Sequence, residues 1–149
     1  MTLLEKRIAP TISARDLGIQ VDSTLSFHEH ITNTVPTCIA ILCPINKVKH
    51  LFDPRSLENI ISSLIFSKLY YCSNVWSSTT KKNVEKLQKE QNFAARIITG
   101  TQEYEHITPI LKQLNWLPVS DMLKYLVGVL TFKCLNGLAP GYLNSYFQE

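Results

Sequence analysis

At 149 residues, 45% hydrophobic and 18% charged, the chain has the size and apolar content of a single domain with its own core, which excludes a disordered or fibrous protein. Its net charge of +3 is compatible with a nucleic-acid partner but too small to indicate one by itself. The longest apolar-rich run, Ile60 to Val75, is interrupted by Ser, Lys and Asn, which excludes a bilayer span there.

The opening residues, MTLLEKRIAP, put charge where a signal peptide would carry its apolar region. The four cysteines, Cys38, Cys43, Cys72 and Cys134, form no CxxC pair. Both features predict a reduced intracellular protein, nuclear or cytoplasmic and not secreted. In DLGIQVDSTLSF, Leu17, Ile19 and Val21 alternate with Gly18 and Gln20, the period of a half-buried strand. Asp22-Ser23-Thr24 supplies a turn, and Leu25 and Phe27 return to apolar.

From His28 to Lys49 the spacing of Ile31, Val35, Ile39, Leu42 and Ile45 predicts a helix. Pro36 and Pro44 lie inside it; each removes a hydrogen bond at a cost of about 3 kcal/mol, so a break or kink is expected there. Asp53-Pro54 reads as a cap and first helical position. It opens a helix to about Ser73 whose stripe, from Leu57 to Tyr70, is wide enough to predict burial on most sides. Ser77 to Thr80 makes a loop and a cap. The helix from Lys81 to about Ile98 is the most amphipathic, with Val84, Leu87, Ala94 and Ile98 on one face and Gly100 as its stop. A short helix is expected from about Thr108, ending before Pro118, and a last one from Ser120 to about Leu135, stopped by Asn136-Gly137. The predicted fold class is mainly α: a short N-terminal β-strand element over residues 1–27, then a bundle of about five helices over residues 28–149.

No DD, DxD or DxE pair offers the close-set carboxylates of a two-metal polymerase or nuclease site. Asp16 and Asp22 read as turn or solvent residues. His28 and His30 would share a face on a strand and could bind zinc, but at a helix start their side chains diverge. No GxSxG elbow and no GxxxxGK[ST] loop occurs. The cysteines sit beside apolar residues with nothing near to lower a thiol pKa, so they read as packing. No metal and no cofactor is predicted. One surface stands out: Lys82, Lys86, Lys89 and Arg96 fall along one helical face, with Phe93 in the intervening register. That pattern suits a phosphate backbone; a solvated helix face, softened by Glu85 and Glu90, is the alternative. The box HITPILKQLNWLPV carries no chemistry, and its Trp116 and prolines read as structural.

The blocks LGIQVDSTLSFHEHI, LIFSKLYYCSNVW, KKNVEKLQKEQNFAARIITG, HITPILKQLNWLPV and FKCLNGLAPGYL, in this order, resemble the C-terminal part of reverse transcriptases from LINE-type, non-LTR retrotransposons. The resemblance runs from about Leu17 to about Leu143. It implies that Leu17 and Gly18 belong to the strand beside the primer grip, and that the helices form the thumb and its extension, which cradle a template–primer duplex through its backbone. Lys82, Lys86, Lys89 and Arg96 then become phosphate contacts. In HITPILKQLNWLPV the tryptophan and prolines would lock two helices at a fixed angle. The family's catalytic aromatic-x-Asp-Asp turn would lie upstream of Leu17, and none of the residues before it matches. The expectation is therefore a reverse-transcriptase fragment with no polymerase activity of its own. Its partners would be an RNA–DNA or DNA duplex and a separate palm and fingers segment, with no membrane and no small-molecule substrate. The alternatives are an inert helical interaction domain with apolar surface exposed where a palm would pack, a degenerate transposon remnant, and an enzyme using His28, His30 or a cysteine. Without a palm, the Leu17 strand is expected to be an unpaired edge.

Overall fold

The computed structural model of the chain describes residues 2–3, 6–7 and 11–147. It is mainly helical, with a short β element at its start, as the residue pattern predicts. Strand β1 (Thr2–Leu3) pairs antiparallel with β2 (Lys6–Arg7), and β3 (Ser13–Asp16) pairs antiparallel with β4 (Ile19–Asp22). Leu17 and Gly18, expected within a strand, instead form the two-residue turn between β3 and β4, with φ of 44° and 87°. Two positive φ values in succession give the twist that a tight hairpin requires. Leu17 therefore points out, 83% exposed, and burial in β4 begins with Ile19. The strand is also not the unpaired edge expected of it. Its partner β3, with the sequence SARD, carries no apolar alternation that would reveal it.

Asp22 then organises the passage into the helices. Its carboxylate accepts the backbone N–H groups of Thr24 at 3.1 Å, Ser26 at 3.0 Å and Phe27 at 2.7 Å, together with the Thr24 and Ser26 hydroxyls. These bonds, the Thr24 hydroxyl foremost, hold the carboxyl well below the usual carboxylate range. They also clamp Leu25 and Phe27 in the left-handed region, which seats Phe27 in the core at the head of α1.

Helix α1 (His28–Val48) runs through Pro36 and Pro44 without the break that is the first of the two outcomes expected there. Both prolines lie on its exposed side, as do Thr32 and Ala40, whose carbonyls lose their i+4 helical donors. Burial of Ile31, Cys38 and Leu42 on the opposite side holds the helix together. A 3₁₀ turn (Lys49–Leu51) leads to α2 (Pro54–Leu69), where Asp53 caps by accepting from the Ser56 N–H at 3.0 Å. Helix α2 is not buried on most sides. It presents one seam, Leu57, Ile61, Ile65 and Leu69, at i, i+4 spacing, while Leu64 stays 42% exposed. It also stops earlier than predicted, and a separate turn, α3 (Ser73–Trp76), drives Trp76 into the core, with its indole N–H on the Tyr71 carbonyl at 2.9 Å.

Helix α4 (Lys81–Thr99) packs between α1 and α2; Thr80 caps it and Gly100, at φ 70°, ends it. Helix α5 (Ile107–Gln113) has His106 at its N-cap and starts one residue before the expected Thr108. It ends in a Schellman motif: the Trp116 N–H reaches the Leu111 carbonyl at 2.8 Å, the Asn115 N–H reaches Lys112 at 3.1 Å, and Asn115 takes φ 54°. Helix α6 (Val119–Leu135) follows Pro118, and a last turn, α7 (Gly141–Asn144), follows Pro140. The main core joins β4, α1, α2, α3, α4 and α6; Ala95, Ile110, Leu111 and Leu114 form a second, smaller cluster. The half-buried Trp116 touches both clusters and meets Phe66 edge-on at 4.6 Å.

Candidate nucleic-acid interface

The buried face of α4 is more polar than its periodicity suggests: Asn83, Glu90 and Gln91 are buried beside Leu87, Ala94, Ala95 and Ile97. Each polar group has a specific setting. Asn83 donates to the Thr79 hydroxyl at 2.9 Å, and that hydroxyl donates to the Ser26 carbonyl at 2.7 Å. The Asn83 carbonyl oxygen lies 3.0 Å from His28 Nδ1. Gln91 donates to the Leu117 carbonyl at 2.9 Å, and Gln88 accepts the Val119 N–H at 2.8 Å while donating to Gln91 at 2.8 Å. The two glutamines thus hold the chain between α5 and α6 and satisfy the first free N–H of α6. This is the structural content of the LNWLPV sequence. The only trace of these amides in the residue pattern is their i, i+3 spacing on α4.

Burial raises the Glu90 carboxyl above its ordinary range. It also pushes the Cys38 thiol up to about 11, with Glu90 adding to the shift, which favours the protonated thiol. His28 and His30 have separate settings: His28 faces Asn83, whereas His30 lies 6.1 Å from the Trp76 ring, where burial lowers its pKa and favours the neutral imidazole. Among the described residues no three His, Cys, Asp or Glu side chains group closely enough to hold a metal ion.

The basic face of α4 forms an edge facing α1. At about 100° per residue, Lys82, Lys86, Lys89, Phe93 and Arg96 fall within an arc of about 80°. Lys82 and Lys89 are exposed, and the Lys86 ammonium donates to the Thr32 hydroxyl on α1 at 3.1 Å. Arg96 has a structural role as well: its guanidinium donates to the Gln102 carbonyl and, at 2.8 Å, to the Glu105 carbonyl, pinning the loop after α4. None of the four cations is paired with a carboxylate among the described residues, where the ion pairs are Lys81–Glu85 and Lys124–Asp121. Lys89, Phe93 and Arg96 line a cleft of about 690 Å³ together with Lys49, Asn46 and Asn92, and Glu103 stands at its loop side. Lys49, on the turn after α1, is a cation that the helical pattern of α4 could not reveal.

Leu17 and Gly18 do not reach this edge. Their turn leans on Tyr71, whose hydroxyl donates to the Leu17 carbonyl at 2.8 Å. A Cβ on Gly18 would stand 3.3 Å from the Tyr71 ring at a φ that side chains rarely adopt. The turn borders a second cleft of about 510 Å³ between the β3–β4 hairpin, α1 and α2. Among the described residues no helix is long and apolar enough to cross a membrane. Comparison with protein-family models, with curated proteins and with solved structures finds no match.

Proposed function

We propose that the chain is a thumb-like segment of a LINE-type reverse transcriptase that grips a template–primer duplex through its phosphates and performs no phosphoryl transfer on its own. The observation that carries this reading is the cationic edge of α4: Lys82, Lys86, Lys89 and Arg96 share one side of one helix, without a carboxylate partner among the described residues, and Lys49 adds a fifth cation in the cleft that Phe93 also lines. A row of this kind matches regularly spaced phosphates, and Phe93 offers an apolar surface to a sugar. Phosphoryl transfer would need metal-holding carboxylates, which the separate palm segment of the resembled family supplies. The direct test titrates the chain against an RNA–DNA hybrid at two salt concentrations, beside a variant carrying Lys82→Ala, Lys86→Ala and Lys89→Ala. Binding should fall with salt, and the variant should flatten the log K slope by about 0.9 for each phosphate it no longer neutralises. Binding that ignores salt, or survives the triple change intact, rejects the reading.

A second reading, an inert interaction domain, has its own observation. On α6, Tyr125 and Phe132 stand 58% and 60% exposed on the face opposite Val119, Leu123 and Cys134. Leu135, Leu138 and Tyr142, at the end of α6 and beyond it, are exposed as well. Salt-independent capture of a palm segment by this face would favour it.

A further inference from the structure

The cleft between the β3–β4 hairpin, α1 and α2 lies away from the basic edge of α4. Its α1 residues Thr34 and Thr37 fall on one flank of that helix, whereas Thr32, which receives Lys86, falls on the other. Two cations line the cleft, Arg15 from β3 and Lys68 from α2, and no carboxylate does; Asp16 and Glu29, on neighbouring positions, stand outside its lining.

The hydroxyls of the cleft add a second requirement. Thr34 donates to the His30 carbonyl at 2.9 Å, Thr37 to Asn33 at 3.1 Å, Ser67 to Leu64 at 2.9 Å and Tyr71 to Leu17 at 2.8 Å. A carbonyl can only accept, so each hydroxyl proton is spent on the protein, and each oxygen retains only lone pairs for a ligand. The walls therefore combine cationic donors and the side-chain amides of Gln20 and Asn33 with a set of acceptors. A bare oxyanion satisfies the first and leaves the second unmet. A ligand with both an anionic group and hydroxyl donors satisfies both, and about 510 Å³ lies within the range of small-molecule sites.

We propose that this cleft binds a phosphorylated sugar, with Arg15 and Lys68 on the phosphate and the oxygens of Thr34, Thr37, Ser67 and Tyr71 accepting from the sugar hydroxyls. The Arg15 guanidinium offers the forked pair of donors that a phosphate takes, and Lys68 a point charge. The site is independent of the duplex-binding reading, because it uses none of the α4 cations.

The test is an NMR titration of the full chain with ribose 5-phosphate, inorganic phosphate and ribose. Ribose 5-phosphate should shift the resonances of Tyr71, Thr37 and Lys68 and bind at least ten-fold more tightly than phosphate. Arg15→Gln combined with Lys68→Gln should lose at least ten-fold of that affinity, while Lys89→Gln should lose none. Both cleft cations are exposed, so the double variant should keep the wild-type spectrum; the shift map of the unmodified chain decides the matter even if it does not. Phosphate binding as tightly as ribose 5-phosphate, shifts confined to other residues, or an unaffected double variant would each overturn the proposal. Competition separates the sources of the sugar phosphate. Displacement by a short RNA oligomer assigns the site to a strand, and displacement by a free ribonucleotide alone assigns it to a small molecule.

Discussion

Helices α4 and α6 are close in length, 19 and 17 residues, and opposite in character. Helix α4 is rich in Lys, Glu and Gln and yet buries seven of its residues; α6 is built mostly of apolar and small residues and buries three. Composition does not decide which helix becomes the centre. Helix α4 has partners on two sides, α1 and α2, and crosses to α5 and α6 as well, whereas the main contacts of α6 are with α3, α4 and the short α7. The central helix can carry amides inward because Asn83 and Gln91 find specific partners, and the peripheral one leaves apolar side chains in water because nothing among the described residues covers them.

The sharpest way to break this contrast is to delete the same side chain from both helices. Leu87→Ala on α4 removes a fully buried leucine and should cost about 2–5 kcal/mol through lost burial and the cavity left behind. Leu135→Ala on α6 removes one that is mostly in water and should cost less than about 0.5 kcal/mol. Urea unfolding of both variants measures the pair. Similar losses would mean that the exposed face of α6 is covered in solution.

Gln91→Ala comes next. It removes the donor to the Leu117 carbonyl and one of the acceptors of the Gln88 amide, at a cost of about 1–3 kcal/mol. Hydrogen exchange should localise the effect, with faster exchange at the first turn of α6 and unchanged protection in α2. Uniform loosening would mean that the glutamine pair is ordinary core and not a tie between α4 and α6.

Much of this architecture is legible in the residue pattern, and the limits follow physical lines. The five longer helices, the Asp53 and Thr80 caps and the Gly100 stop are written in local periodicity and end chemistry. The unbroken course of α1 is not, because proline costs are local and the compensating burial of Ile31, Cys38 and Leu42 is tertiary. The turn at Leu17-Gly18 is hidden because Leu17 extends the apolar alternation of β4 by one residue. Of the candidate site, the side shared by the α4 cations is readable from spacing, whereas Lys49 and the Arg15–Lys68 cleft depend on how separate elements meet.

Glu90 sharpens the comparison through pH. Burial raises its pKa in the fold, so the folded state favours the protonated acid. A group raised in this way contributes stability that is fully present below its unfolded value of about 4.3 and is lost as pH rises through the folded value. Glu90→Gln should therefore raise the Tm at pH 7, and the gain should shrink to nothing near pH 4. A variant that is destabilised at pH 7 would mean that the carboxylate is held by a favourable partner rather than merely tolerated.

The smallest effect expected is the most informative about α6. Tyr125→Ser combined with Phe132→Ser takes two aromatic rings from the exposed face, and since the fold leaves both largely in water, the unfolding midpoint should barely move, by less than about 0.5 kcal/mol per site. That prediction holds only for an isolated chain. If the face docks on a second copy, removing the rings withdraws the stability supplied by association, and the loss must grow with protein concentration. Unfolding the variant and the parent at two concentrations a hundred-fold apart separates the cases. Midpoints that coincide at both leave the face free for a different chain, as the interaction reading requires. A parent midpoint that climbs with concentration, in step with sedimentation as a dimer, would show that α6 is buried after all, and the contrast with α4 would then hold for the monomer alone.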